Sequence, residues 1–262
     1  MNTLFARIQV KAGRALLDKL AAVGRFAALM AELFRGLAEW RVWVPRAFDE
    51  AWNIGIGSLF IVLLISSFAG AVTALQAGYQ FTGSIPIYVV GSLVTESVVL
   101  ELGPVLVGLI LAGRIGASYA AELGTMRVTE QIDALESLGR SPASYLLVPR
   151  VVACLLMIPI LTIFADVVAV AAGWLAAKQA LPITDQDFIY GARVFWRPFD
   201  ATYSITKAFF FAAAISLISC YRGYTAKQGA EGVGRATTGA VVTSSVLILL
   251  LDTILAKLLL KQ

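Results

Sequence analysis

Residues 51–95 read "AWNIGIGSLFIVLLISSFAGAVTALQAGYQFTGSIPIYVVGSLVT", with no Asp, Glu, Lys or Arg anywhere in the run. A membrane helix becomes a candidate at about 18 consecutive apolar residues, so this stretch holds one full span and the start of a second. The apolar residues run on instead of alternating, as the strands of a membrane barrel would. Lipid offers no hydrogen bonds to a bare backbone, so a continuous apolar run must satisfy its own, which means helix. Only 15% of the 262 residues are charged and 59% are hydrophobic, whereas soluble domains are about 25% charged. The sequence therefore predicts an all-α integral membrane protein.

Working outward from this run, five apolar segments can be drawn, at about 53–80, 88–113, 143–177, 201–221 and 237–260. The first and third exceed what a ~30 Å core needs at ~1.5 Å per residue, so tilt or kinks are expected. Pro104, Pro149 and Pro159 are positions where a kink would have a cause. With the N-terminus placed in the cytoplasm, residues 1–50 carry eight Lys or Arg, the 114–150 segment four and the 222–235 loop three. Lys178, Arg193, Arg197, Lys207, Lys257 and Lys261 then lie outside or at span ends. This bias predicts a cytoplasmic N-terminus and, after five spans, a C-terminus on the opposite side, which is the periplasmic side if the membrane is a bacterial inner membrane.

Two shorter segments are amphipathic. Arg7, Lys11, Arg14, Asp18 and Arg25 share one narrow helical arc, with Phe5, Leu16, Leu20, Val23, Ala27 and Phe34 opposite. Residues 1–50 read as an interfacial region whose basic groups meet lipid phosphates. Trp40, Trp43 and Trp52 follow where an aromatic belt belongs. The second segment is the charged stretch "ELGTMRVTEQIDALESLGRSP", 122–142. Val128, Ile132, Leu135 and Leu138 recur there at helical spacing, while Glu130, Asp133 and Glu136 take another face. Gly139 suits a C-cap and Pro142 stops continuation. The spacing predicts a short cytoplasmic helix over about 125–139. Its apolar stripe needs a surface, either the protein's own underside or the groove of a cytoplasmic partner, and periodicity alone leaves both open.

Several chemistries are excluded. The chain has no histidine, so His metal sites, His-activated nucleophiles and His proton relays are absent. Cys154 and Cys220 lie far apart in apolar stretches and read as small buried side chains. The charged opening segment does not resemble a cleaved signal peptide. "GPVLVGL" (103–109) has Leu109 where a phosphate-binding loop requires Lys, and "GVGRAT" (232–237) lacks the third glycine of a dinucleotide fingerprint. These glycines read as close helix packing. No pair of activated carboxylates and no Ser–base arrangement is visible, so the chain is not expected to be an enzyme.

Glu96, Glu101, Asp166 and Asp252 fall inside apolar segments. A charge at mid-bilayer costs at least ~2.5–3.5 kcal/mol, so each needs a partner, a proton or an aqueous cavity. Glu101, flanked by Leu100 and Leu102 and followed by Pro104, is the candidate to face a cavity, the alternative being a structural hydrogen bond between helices; Arg235 is one candidate donor, though sequence does not place it close. Asp166 and Asp252 read as partners for Arg, Ser or Thr on adjacent helices. Thr73, Gln76, Gln80 and Phe81 share one face near the outer end of the first span. That face suits either a head-group route or interfacial anchoring.

"ELGPVLVGLILAGRIGASYAAELGTMRVTEQIDALESLG" (101–139), "PRVVACLLMIPIL" (149–161) and "GVGRATTGAVVTSSVLILLLD" (232–252) resemble the MlaE/YrbE family of ABC-transporter permeases. The resemblance runs along essentially the whole chain. It implies a homodimer of five-span subunits in the bacterial inner membrane, in a region covering about 51–262. Its implied partners are two cytoplasmic ATPase subunits and a periplasmic ring of MCE-domain protein, and its substrate is phospholipid moved between inner and outer membranes. Outer-membrane lipid asymmetry would depend on it. ATP and Mg would be used by the partner ATPase, no cofactor would be bound by this chain, and no nucleic acid is involved. Arg127, Val128, Glu130, Ile132, Asp133, Leu135 and Glu136 would then belong to a coupling helix that docks into the ATPase. Many relatives carry Arg before the Glu of this block; here Leu100 stands there. Two other readings remain open to the residues: an ion-coupled carrier using Glu96, Glu101 and Asp166, and an anchor that holds the ATPase and MCE ring without transporting. The lack of an internal repeat argues against the first.

Overall fold

The computed structural model describes residues 21, 23–80 and 86–260, and among these it contains helices and no strand. Helix α1 covers 23–36. It is followed by α2 (Trp40–Gln80), α3 (Val89–Val128), α4 (Gln131–Ser137), α5 (Ala143–Ala180), α6 (Asp185–Val194), α7 (Pro198–Tyr224) and α8 (Ala230–Leu259). Five of them, α2, α3, α5, α7 and α8, are long and apolar enough to cross a membrane. The chain is an all-α integral membrane protein of five spans. At ~1.5 Å per residue α2 and α3 reach about 60 Å, so each extends well past the hydrocarbon. Hydropathy marks only their apolar parts, about 53–80 and 88–113. Helix α2 runs without interruption from Trp40 through 50 and 51, so the interfacial region and the first span share one helix.

The spans alternate in direction. The starts of α2, α5 and α8 and the ends of α3 and α7 share one end of the bundle with α1 and α4. Helix α6 packs on the start of α3 at the other end. Between helices in lipid the hydrophobic drive is absent, and close approach of backbones decides packing. Helix α2 buries Ile54, Ser58, Val62, Ser66, Gly70 and Ala74 at four-residue intervals, mostly small side chains. A Cβ on Gly70 would collide with the backbone of Ala169 on α5, so this crossing requires glycine. The outer surface keeps its large apolar groups for lipid, among them Phe60, Phe68 and Phe164.

Three apolar clusters tie the bundle together. Val62, Leu111, Ile158, Phe211 and Ile248 meet at the centre. Leu29, Leu33, Leu123, Ile132 and Leu147 meet at the end that carries α1 and α4. Val90, Val94, Ala169, Ile183 and Phe188 meet at the other. The second cluster adds a contact face that the sequence reading did not draw: in α1, Leu29 and Leu33 bury against the chain itself, while Val23 and Phe34 of the expected apolar face are exposed. Arg7, Lys11, Arg14 and the other residues of that face before 21 lie outside the described residues. The short helix also differs from its expected 125–139. Helix α3 continues to Val128 and therefore keeps Arg127 and Val128, and the chain then turns at Glu130, whose φ of 59° is left-handed. Its C-terminal end agrees with the sequence. Gly139, with φ 70°, closes it as Arg140 N–H donates to Leu135 O at 3.1 Å and Gly139 N–H to Glu136 O at 2.9 Å, a Schellman cap.

Candidate functional site

The centre of the candidate site grows from a proline. Pro104 has no N–H, so the carbonyl of Leu100 loses its usual helical donor. The backbone answers with a π-helical turn over Val98–Leu102. Lys207 of α7 fills the vacancy, its Nζ donating to Leu100 O at 3.0 Å. The same ammonium donates to Glu101 Oε2 at 2.7 Å and pairs with Asp252 Oδ1 of α8. Three spans thus converge on one cation. It is completely buried, and Tyr203 lies one turn back with its ring 5.0 Å from Nζ. An ammonium has three protons to give, and these three oxygens take them. Two carboxylates around one ammonium leave the cluster with an excess negative charge when both are ionised.

Lys207 corrects the sequence reading twice. It is not at a span end but nine residues inside α7. It is also the cation that Glu101 was expected to find in Arg235. Arg235 instead sits on the exposed first turns of α8 and pairs with Glu231, one turn before it. Lys207 supplies a cation at Glu101 although the residue before that glutamate is Leu100 and not Arg. Glu101 itself is not enclosed: about half of its side chain, 53%, is exposed on the surface of this single chain. Leu100 and Leu102 beside it are half-buried. Close by, Ser204 Oγ donates to Asp166 Oδ2 at 2.8 Å, the kind of partner expected for that aspartate. Gly103 leaves the space that Asp166 occupies, since a Cβ there would overlap its carboxylate.

The other expected groups stand apart from this cluster. Gln76 and Gln80 are exposed near the end of α2, Thr73 bonds its own helix at Ala69 O, 2.8 Å away, and Phe81 lies outside the described residues. At the opposite end, Ile132 is fully buried and Leu135 packs against the same cluster, so that part of the apolar stripe faces the chain's own underside. Leu138 alone of the stripe is largely exposed. Glu130, Asp133 and Glu136 are exposed, Arg127 pairs with Asp133 at 2.5 Å, and Tyr224 O–H donates to Glu136 at 3.3 Å. Arg150, counted with the loop cations from sequence, is buried inside α5. It lies 3.4 Å from Glu50 and 2.9 Å from Glu122.

The geometry is that of a five-span bundle with an ion cluster drawn from three helices, half open to its surroundings. The comparisons give the family. Residues 47–258 match the family model described as Permease MlaE, and the chain belongs to that family. A probable ABC transporter permease protein of Rickettsia prowazekii is 43% identical over 208 residues, which is 79% of this chain and 80% of that one. A probable ABC transporter permease protein of Synechocystis is 37% identical over 216 residues, 82% of each chain. The Arabidopsis thaliana chloroplast protein trigalactosyldiacylglycerol 1 is 36% identical over 224 residues, 86% of this chain and 63% of that one. The protein is thus a multi-pass ABC transporter permease, a transport subunit that works with ATPase components.

Proposed function

We propose that this permease moves phospholipids between the inner and outer membranes of a bacterium and so supports outer-membrane lipid asymmetry. It does so as a homodimer in the inner membrane, its N-terminus cytoplasmic and its C-terminus periplasmic. Cytoplasmic ATPase subunits drive it and a periplasmic MCE-domain ring receives or delivers the lipid. The observation that carries this reading is the exposure of Glu101. Its position, about 18 Å along α3 from Val89 at ~1.5 Å per residue, is deep in the bilayer. A carboxylate open to hydrocarbon there costs ~2.5–3.5 kcal/mol or more. The exposed face of the cluster therefore calls for a polar cavity, and a second copy of the chain would enclose one. Such a cavity offers a lipid head group polar contacts while the surrounding spans offer its acyl chains apolar ones. The galactolipid in the name of the Arabidopsis relative agrees with a glycerolipid substrate. ATP and Mg belong to the partner, and no cofactor is assigned to this chain.

In this account α4 couples to the ATPase through its exposed side, with Asp133, Glu136 and Leu138 outward, while Ile132 and Leu135 fasten it to the permease. The test is substitution at Glu101 in cells and in the purified complex. Glu101→Gln keeps shape and hydrogen bonding but removes the charge; Glu101→Ala removes both. Both variants should assemble with the ATPase and lose lipid transport. Co-purification without a stoichiometric ATPase, or normal lipid asymmetry in both variants, would end the proposal.

A further inference from the structure

The surface of the bundle carries an apolar groove beside α6, a basic hollow around the α7–α8 loop and a polar crevice between α2 and α3. The crevice is the most polar of the three. It has a volume of about 610 Å³ and lies beside Glu50, Arg114, Ser118 and Glu122, within the ~300–1,000 Å³ range of small-molecule sites. Its depth is fixed by sequence: the apolar run of the first span begins just after Glu50, and that of the second ends just before Arg114. The crevice therefore lies where hydrocarbon gives way to head groups, at the end of the bundle that holds α1 and α4. Glu101 lies thirteen residues from Arg114 on the same helix, ~20 Å away, so this is a separate site.

The charges on its wall do not cancel locally. Glu50 and Glu122 share one guanidinium, that of Arg150, at 3.4 and 2.9 Å. Two carboxylates on one cation leave one negative charge over, and Glu122 is nearly half exposed beside the crevice. Glu50 takes a further bond from Tyr119 O–H at 3.3 Å, and Glu122 one from Ser118 Oγ at 2.7 Å, which fixes both carboxylates in place. Across from them, Arg114 is exposed and, among the described residues, has no carboxylate in ion-pair contact. Its guanidinium lies over Gly57, where a Cβ would stand 2.9 Å from it. One surplus anion and one unpaired cation face a single cavity at the lipid interface. Trp52 and Ile56, on the rim, also border an apolar groove between α2 and α5 of about 380 Å³.

We propose that this crevice binds the head group of a zwitterionic phospholipid bearing a primary ammonium, of the phosphatidylethanolamine type, with its phosphate on Arg114, its ammonium on Glu122 and one acyl chain past Trp52 and Ile56. The inference goes beyond the transport reading and rests only on the chain's place in the membrane. An anionic lipid would satisfy Arg114 and meet the surplus carboxylate charge. A choline lipid would bring a cation without hydrogen-bond donors.

The test is native mass spectrometry of the full-length chain released from nanodiscs holding equal parts of phosphatidylethanolamine, phosphatidylcholine and phosphatidylglycerol, without ATP or ATPase, so that failure of transport and failure of this site are read separately. The wild type should retain phosphatidylethanolamine several-fold over the other two. Arg114→Gln should lower that retention about tenfold or more, since hydrogen bonds to charged groups are worth ~1.5–3 kcal/mol. Gly57→Ala should lower it too, because the new methyl displaces the guanidinium without removing its charge. Equal retention of all three lipids, or unchanged retention in Arg114→Gln, would overturn the proposal. So would a disulfide between two chains carrying Ser118→Cys, which would seat a second copy in the crevice.

Discussion

Lys207 shows what one side chain does here and why sequence did not disclose it. It sits in "SITKAFFFAAA" (204–214), near enough to a predicted span end to pass for an interfacial lysine. Its partners are 106 and 45 positions away, and nothing in composition or spacing pairs them. Glu101 as a group needing a partner was legible, because an acid in an apolar run has a cost that demands one. Pro104 as a place where the helix departs from regularity was legible as well, although the departure is a π-helical turn over Val98–Leu102. The carbonyl it frees, and the lysine that takes it, appear only when α3 and α7 are packed together. Lys207→Met should therefore be severe. It strands Glu101, Asp252 and Leu100 O together, and breaking a buried pair from one side costs ~3–5 kcal/mol. Thermal unfolding in detergent should record a marked loss. Adding Glu101→Gln and Asp252→Asn to Lys207→Met should restore most of the stability but not transport. Wild-type stability in Lys207→Met alone would mean the cluster is not held by this cation.

Among the elements, α4 separates what a pattern can and cannot say. The end of the helix was legible, because Gly139 and Pro142 are local signals. Its start was not. The helical preference of residues 117–128 continues without a break, and the turn falls at Glu130, a residue type with no special liking for left-handed backbone. The stripe was legible as a stripe, but its destination was not, because burial against one's own chain and burial against a partner use the same periodicity. The structure divides it. Ile132→Ala removes a fully buried side chain and should cost ~2–5 kcal/mol of stability. Leu138→Asp changes an exposed position and should stay within about 0.5 kcal/mol of wild type while weakening retention of the ATPase. Denaturation curves and co-purification together test this. Loss of stability in Leu138→Asp, or full ATPase retention at normal transport, would remove the exposed face of α4 from the coupling account.

The whole molecule follows from two features of the chain, its apolar lengths and the few charges that interrupt them. The five spans were legible because lipid imposes a length on them. Their extension past the membrane was not, since α2 and α3 continue as mixed-polarity helix where hydropathy falls away. The interruptions gather into two clusters, one half open around Glu101 and one around the buried Arg150, whose partner Glu122 borders the crevice between α2 and α3. The central claim is that the open cluster faces a cavity through which phospholipid passes under ATPase control. Its most direct test puts a benzophenone side chain at Leu102, beside Glu101, in the membrane-reconstituted complex with its ATPase. Illumination should attach phospholipid to this chain, and the yield should change when ATP and Mg are added. An adduct with no phospholipid, or a phospholipid yield the same at Leu102 as at the lipid-facing Phe60 and indifferent to ATP, would contradict the account.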